Sequence, residues 1–381
     1  MPTALDQPVK FASRFASASA SGAPDNADWG RLAFDCVQGL GDLAAEATLG
    51  FVYVTDALAG DLPEIVAFLK RTTSVADWIG SVGIGIVAEG QECFDRPGMA
   101  VLAAALPRDA FRLVSGPDAL APVRDWAGGA HPVLGVVHAD PRAPQLIENV
   151  EALARDLSVF LVGGLASSRG DMGQVAGKVV QGGVSGVMFA PEVGVIAGLS
   201  QGCSPIGPVR RITAGKQNVV FEIDDRPALD VFKEDIGEIL ARRPERVGGY
   251  IHVAFPVAGS DTGDYVVRNL MGIDPQRGWI AIGDEARVGA SLMFVRRDRD
   301  AAERDLVRML SGLKRRLAGP PRAGLYFSCI ARGPNLFGPD SAEVRIVRRE
   351  LGEFPLVGMF CNGEICNDRL YGYTGVLALF V

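Results

Sequence analysis

Pro132-Val-Leu-Gly-Val-Val-His138, an amphipathic run near Gln145–Leu157, and Val159-Phe-Leu-Val-Gly-Gly164 form the stretch that decides the fold. An apolar run gives way to 3.6-residue periodicity and then to a short apolar run containing glycine, the pattern of a strand–helix–strand unit. Upstream, the same order occurs in Leu49-Gly-Phe-Val-Tyr-Val-Thr55, Leu62–Arg71 and Trp78-Ile-Gly80. Downstream it returns in Gly324-Leu-Tyr-Phe-Ser-Cys329, Ser341–Leu351 and Pro355-Leu-Val-Gly-Met-Phe-Cys361. Units of this kind form βαβ crossovers. Between the last two, Val184–Phe189, Val193–Leu199 and Val219–Ile223 read as strands joined by Gly/Pro turns. Helices are expected over 226–241, with Asp224 or Asp225 as cap, and over 301–317. The expected fold class is α/β with an α+β tendency: mixed sheets flanked by helices, built around βαβ units, in two tandem related domains. A boundary near Phe221 divides residues 26–221 from 222–381. Residues 1–25, poor in large apolar groups, read as a flexible leader, and their Ala/Ser alternation also fits an edge strand.

Composition narrows the function. The 381 residues are 48% hydrophobic and 22% charged, ordinary for a folded soluble protein, and no apolar run approaches the length of a spanning helix. A net charge of −7 argues against a nucleic-acid partner, whose footprint needs clustered Lys and Arg. Lys314-Arg315-Arg316 suits the C-terminal turn of a helix instead. No apolar segment follows Lys10 and Arg14 as a secretory signal requires, so the scattered cysteines are expected to be reduced thiols in the cytoplasm.

Several motifs resemble catalytic ones and fail on context. Gly198-Leu-Ser-Gln-Gly202 has the spacing of a nucleophile elbow, but Pro205 and Pro208 obstruct the helix that must follow. The sole later histidine, His252, sits inside an apparent strand. Gly83-Ile-Gly-Ile-Val-Ala88 leads into a turn and strand rather than the helix a dinucleotide needs. His131 and His138 read as turn and strand-end residues, and Cys361 and Cys366 lack two partners for a zinc site.

The third unit is different. Its first strand ends in Ser328-Cys329-Ile-Ala-Arg332-Gly333 and its last in Cys361-Asn362-Gly363-Glu364. Parallel strands bring both segments to their carboxyl edge, the usual ligand crevice of open α/β sheets. Arg332 can clamp a carboxylate and Glu364 can receive an ammonium group, a pair suited to a zwitterion such as an amino acid. The alternative is that Arg332 and Glu364 pair with each other. Cys329 has no neighbouring histidine in sequence to activate it, which favours a structural thiol over a nucleophile.

At these residues the chain resembles the FIST family, which has an N-terminal and a C-terminal FIST domain. The resemblance runs through Ser200-Gln-Gly-Cys-Ser-Pro-Ile-Gly-Pro208, Asp225-Arg-Pro-Ala-Leu229 and Val267-Arg-Asn-Leu-Met-Gly-Ile-Asp274. It continues in Phe327-Ser-Cys-Ile-Ala-Arg-Gly333, Pro355-Leu-Val-Gly-Met-Phe-Cys-Asn-Gly-Glu364 and Gly372-Tyr-Thr374, with weaker agreement at Ile79-Gly80, Glu92 and Gly163–Ser167. It implies a non-catalytic intracellular sensory protein that binds a small ligand and signals to a separate partner: a kinase, chemoreceptor or cyclic-nucleotide enzyme. The expected ligand contacts are Cys203, Ser328, Cys329, Arg332, Gly333, Cys361, Asn362 and Glu364. No cofactor or metal is expected, although some bacterial members resemble haem-dependent nitric-oxide sensors, and a thiol-dependent enzyme using Cys329 is a further alternative. Ser204, Ala331, Cys366 and Tyr371 depart from the family's usual arginine, glycine, glycine and histidine, which bears on which ligand fits.

Overall fold

The computed structural model describes residues 14–24, 27–115, 123, 126, 132–237, 249–257, 259 and 263–381. His131, the first thirteen residues and the end of the expected 226–241 helix lie outside these. The chain divides into two compact units: Met1–Ser200, Leu306–Leu370 and Thr374–Val381 make one, and Gln201–Asp305 with Tyr371–Tyr373 make the other. Phe221 therefore falls inside a unit, on the strand Val219–Ile223.

The first unit contains the three strand–helix–strand repeats, each in its own six-stranded mixed sheet. Their parallel pairs are Leu49–Thr55 with Asp77–Gly83, Leu134–Ala139 with Phe160–Leu165, and Ala323–Cys329 with Leu356–Cys361. The crossover helices are Leu62–Thr72, Leu146–Leu157 and Ala342–Leu351. Each repeat adds an antiparallel strand beside its first: Gly98–Ala105, Val184–Phe189 or Gly375–Phe380. Each also hands a strand to another repeat. Gly85–Ala88, following the first repeat, pairs with the third; Gln174–Ala176, following the second, pairs with the first; Glu364–Cys366, following the third, pairs with the second. This cyclic exchange ties the repeats together: Gly83 ends the strand Asp77–Gly83, and Gly85–Ala88 is a new strand with a Glu89-Gly90 turn after it.

A single device fixes the register of all three. Gly80, Gly163 and Gly358 lie opposite Val52, Val137 and Tyr326, where an added Cβ would sit 1.7, 1.8 and 1.8 Å from the facing carbonyl oxygen. Only glycine permits that approach. The next residues, Tyr53, His138 and Phe327, are thereby equivalent, and their rings meet in a buried triangle with centroids 5.5, 5.7 and 6.0 Å apart. The repetition is threefold, and the repeats' strands are nearly continuous apolar runs because sheets covered on both faces require it.

Within the segment read as leader or edge strand, Arg14–Ser21 is an edge strand, in register against Gly98–Ala105. The second compact unit closes an antiparallel ring. Ser291–Arg297 pairs with Arg210–Lys216, then come Val219–Ile223, Trp279–Ile282, Tyr265–Asp274 and Ile251–Pro256, which returns to Ser291–Arg297. A closed barrel leaves no edge among those strands. The helix Ala228–Ile236 buries Leu229, Phe232 and Ile236 in its core, with Phe232 against Phe294. Asp224 and Asp225 do not cap that helix. Both have positive φ and make the tight turn before Arg226, which moves the helix start past Pro227.

Candidate functional site

The first strand of the third repeat ends at Cys329, and the chain turns back sharply: the Arg332 amide donates to the Cys329 carbonyl, and Gly333 has φ +52°. A side chain at Gly333 would strike the Phe360 ring at 2.6 Å. This turn points the Arg332 guanidinium inward, where it exposes no surface. Its partner is Glu343, also fully buried, on the first turn of the helix Ala342–Leu351. Arg332 Nε donates to Glu343 Oε1 at 2.8 Å, joined by the Tyr326 hydroxyl at 2.6 Å and the Ser328 hydroxyl at 2.9 Å, while the Gly333 amide donates to Oε2 at 2.8 Å. A buried carboxylate so surrounded is paired and solvated by protein. Burial opposes the Arg332 charge, but Glu343 and Tyr326 outweigh it and its pKa is raised. The two terminal nitrogens of Arg332 reach the Ser200 carbonyl and hydroxyl at only 3.3 and 3.4 Å, and the group lies over the Phe337 ring.

Glu364 is the second buried carboxyl group at this edge. Its Oε2 accepts from the Thr374 hydroxyl at 2.7 Å and the Thr374 amide at 3.2 Å. Its Oε1 is buried and meets no hydrogen-bond partner among the described residues. Burial pushes its pKa to about 8 against the pull of Thr374 and Arg332, so at neutral pH it is mostly the neutral acid. Glu92, on the hairpin given by the first repeat, accepts from the Val344 amide at the helix start; burial and Glu343 raise its pKa to about 7.

Of the residues expected to form the site, Ser328, Arg332 and Gly333 converge on Glu343, and Glu364 lies at the same edge. Cys329 and Cys361 face each other in register on the parallel strands. Burial, Glu364 and Cys329 push the Cys361 thiol well up, the reverse of what a nucleophile needs. The Asn362 side chain is exposed, while its amide donates to the Leu165 carbonyl. Cys203 belongs to the other compact unit, where its carbonyl accepts from the Tyr265 hydroxyl at 2.6 Å. The direct Arg332–Glu364 pair weighed from spacing is not formed; Glu343 takes that place. Sequence reading missed Glu343, Ser200 and Thr374. One signal was available: Glu343, Val347 and Leu351 share a helix face at four-residue spacing and are all buried, so the glutamate occupies a core position of an amphipathic helix.

The other readings find less. Ser200 is buried at a strand end with no helix after it, so it is no nucleophile elbow. Haem does not fit the histidines: His138 exposes 0% and His252 2% of its surface, and His138 Nε2 lies 3.2 Å from the Tyr53 hydroxyl. A groove of about 720 Å³ near Val133, Arg155 and Phe160 is lined by no His, Cys, Met or Tyr. Among the described residues no cluster of metal-ligating side chains occurs, and no helix is long and apolar enough to cross a membrane.

With the repeats and the edge in place, likeness to known proteins is decisive. The sequence matches the FIST N domain over residues 48–226 and the FIST C domain over residues 228–367. The chain belongs to the FIST family. FIST domains are associated with sensory signal transduction. The chain is 32% identical over 335 residues to an uncharacterized protein of Mycobacterium tuberculosis, covering 84% of this chain and 87% of the relative. It is 30% identical over 359 residues to one of Mycobacterium bovis, covering 86% and 92%. The FIST C match ends at residue 367, and so contains Arg332, Glu343 and Glu364 while leaving out Thr374.

Proposed function

We propose that the protein is a non-catalytic sensor that binds a small polar ligand at the carboxyl edge of its third repeat and signals to a partner protein. One observation carries this reading: three equivalent edges exist, and among the described residues only the third buries an arginine–glutamate pair beside a carboxyl group with an unpartnered oxygen. In register, the positions equivalent to Glu364 are Gln174 and Ile86. The scaffold therefore folds without charge at this position. A buried polar atom without a partner costs about 1–3 kcal/mol, a cost a ligand can relieve.

The chemistry favours a zwitterion such as an amino acid. A ligand ammonium group would meet Glu364 Oε1, and a ligand carboxylate would replace the long Arg332–Ser200 contacts. Ser328 and Gly333 hold Glu343, which keeps Arg332 charged and aimed; Asn362 supplies an accessible amide at the edge. Cys329 and Cys361 serve as packing beneath the ligand, and Cys203 packs with Tyr265 and Val295 in a cluster separate from the barrel core. Action in the cytoplasm and transfer to a kinase, chemoreceptor or cyclic-nucleotide enzyme are part of the same proposal, in keeping with the family's association with signalling.

Thermal-shift screening with amino acids and small polar metabolites tests the site. A ligand at a hundredfold excess over its Kd stabilises by about 2.7 kcal/mol, and that shift should disappear in Glu364→Gln. Binding of an ammonium group at pH 7 should also release a proton from Glu364, seen by calorimetry in buffers of different ionisation enthalpy. The placement is wrong if no compound shifts the wild type, or if Glu364→Gln and Asn362→Ala both keep the full shift.

A further inference from the structure

We infer that the buried network is also the transmission element of the protein: Arg332 and Glu364 each hold a residue at which the chain passes between its two compact units. This rests on the ligand site proposed above and assigns its output. The chain leaves the first unit after Ser200 and re-enters it at Thr374, following the short excursion Tyr371–Tyr373. Arg332 reaches both the carbonyl and hydroxyl of Ser200, and Glu364 takes both the amide and hydroxyl of Thr374. The two held residues adjoin the same strand ladder, since Ser200 and Ser328 both pair with Gly375. The Thr374 carbonyl accepts from the Cys329 amide, which ties the re-entry point to the strand that ends in the site.

The repeats show that the fold does not require these grips. Counting back along the antiparallel strands from the equivalent Ala100, Ser185 and Val376, the positions matching Thr374 are Gly98 and Gly183. Neither offers a side chain, and neither lies at a passage between units. On the far side of the first passage, the Gln201 amide donates to the Asp305 carboxylate at 2.6 Å, and Asp305 is the last residue before the chain's other return, at Leu306. A ligand that takes the Arg332 nitrogens from Ser200, or ionises Glu364 and strengthens it as an acceptor for Thr374, changes the hold on both passages together. Coupling of this kind requires a contiguous physical element that both ends bias.

Hydrogen exchange on the full chain, without any ligand, tests the latch. Thr374→Val keeps the shape and deletes the hydroxyl donor. Amides of 371–373 and 201–203 should then exchange about fivefold faster, as one lost hydrogen bond implies. Those of Leu49–Thr55 should be unchanged, and Thr374→Ser should restore wild-type exchange. Unchanged exchange at 371–373 overturns the latch, as does an equal rise throughout the first unit. If the valine variant does not fold, Ser200→Ala gives the readout at Gln201, about twofold to threefold faster for the weaker contact, with no change there counting against the latch. Because no ligand is present, failure here leaves the sensor reading standing, whereas failure of every compound to shift the melting temperature removes that reading and not the latch.

Discussion

The second and third repeats share a backbone register and differ in what they bury at its carboxyl edge. In the second, the Gln174 amide meets the Ser185 hydroxyl at 2.7 Å, and the buried Asp140 pairs with Arg142, whose side chain is exposed. In the third, Glu364 stands in the place of Gln174, and an ion pair is sealed nearby with both partners at 0% exposure. A neutral amide satisfies itself at little cost, whereas a buried charge persists only with every partner in place. The scaffold tolerates either edge, so the charged one is not required by the shared fold.

Removing the key partner should separate the two edges most. Glu343→Ala leaves Arg332 charged and unpaired in the interior and should destabilise by about 3–5 kcal/mol in urea unfolding, against about 1–3 for Gln174→Ala. Equal costs would break the contrast. Glycine substitution tests what the repeats share. Gly163→Ala and Gly358→Ala each force a Cβ onto a facing carbonyl and should cost about 1–3 kcal/mol apiece, with the two values alike.

The next effect is one of pH. Glu364 binds its proton more tightly folded, at about 8, than unfolded, at the ordinary 4.5, so its stabilisation is complete below 4.5 and lost as pH rises to 8. Glu92, at about 7, acts in the same sense. His138 runs the other way: burial lowers its pKa from 6.5 to about 3, so stability falls as pH drops through that range. Chemical denaturation between pH 7 and 8 should therefore show stability falling with pH in the wild type and a flatter profile in Glu364→Gln. An unchanged slope would mean that Glu364 is ionised in the fold. The smallest effect is expected at the shared triangle. Tyr53→Phe with His138→Phe removes both hydrogen-bonding partners together, and the double variant should lie within about 1 kcal/mol of wild type.

Much of this was legible along the chain. The three parallel strand pairs and their helices follow from local periodicity, and strand direction alone placed Arg332 and Glu364 at one edge. The strand exchange was not legible, because Gly85–Ala88, Gln174–Ala176 and Glu364–Cys366 are short and carry no mark of which repeat they will join. The turn at Asp224-Asp225 was misread as a helix cap because aspartate suits both, and only the positive φ of both residues decides between them.

The sequence by itself determined the repeats, since apolar periodicity and the register glycines act over a few residues of chain. It also determined the family and the residues that carry its resemblance. The tertiary structure decided what the buried charges do. Glu343 shares a helix face with Val347 and Leu351, which marks a core position, but only the fold shows that its carboxylate is sealed against Arg332. Burial makes each charge demand its partners, and those partners, Ser200, Tyr326, Glu343 and Thr374, come from wherever the closed sheets bring them.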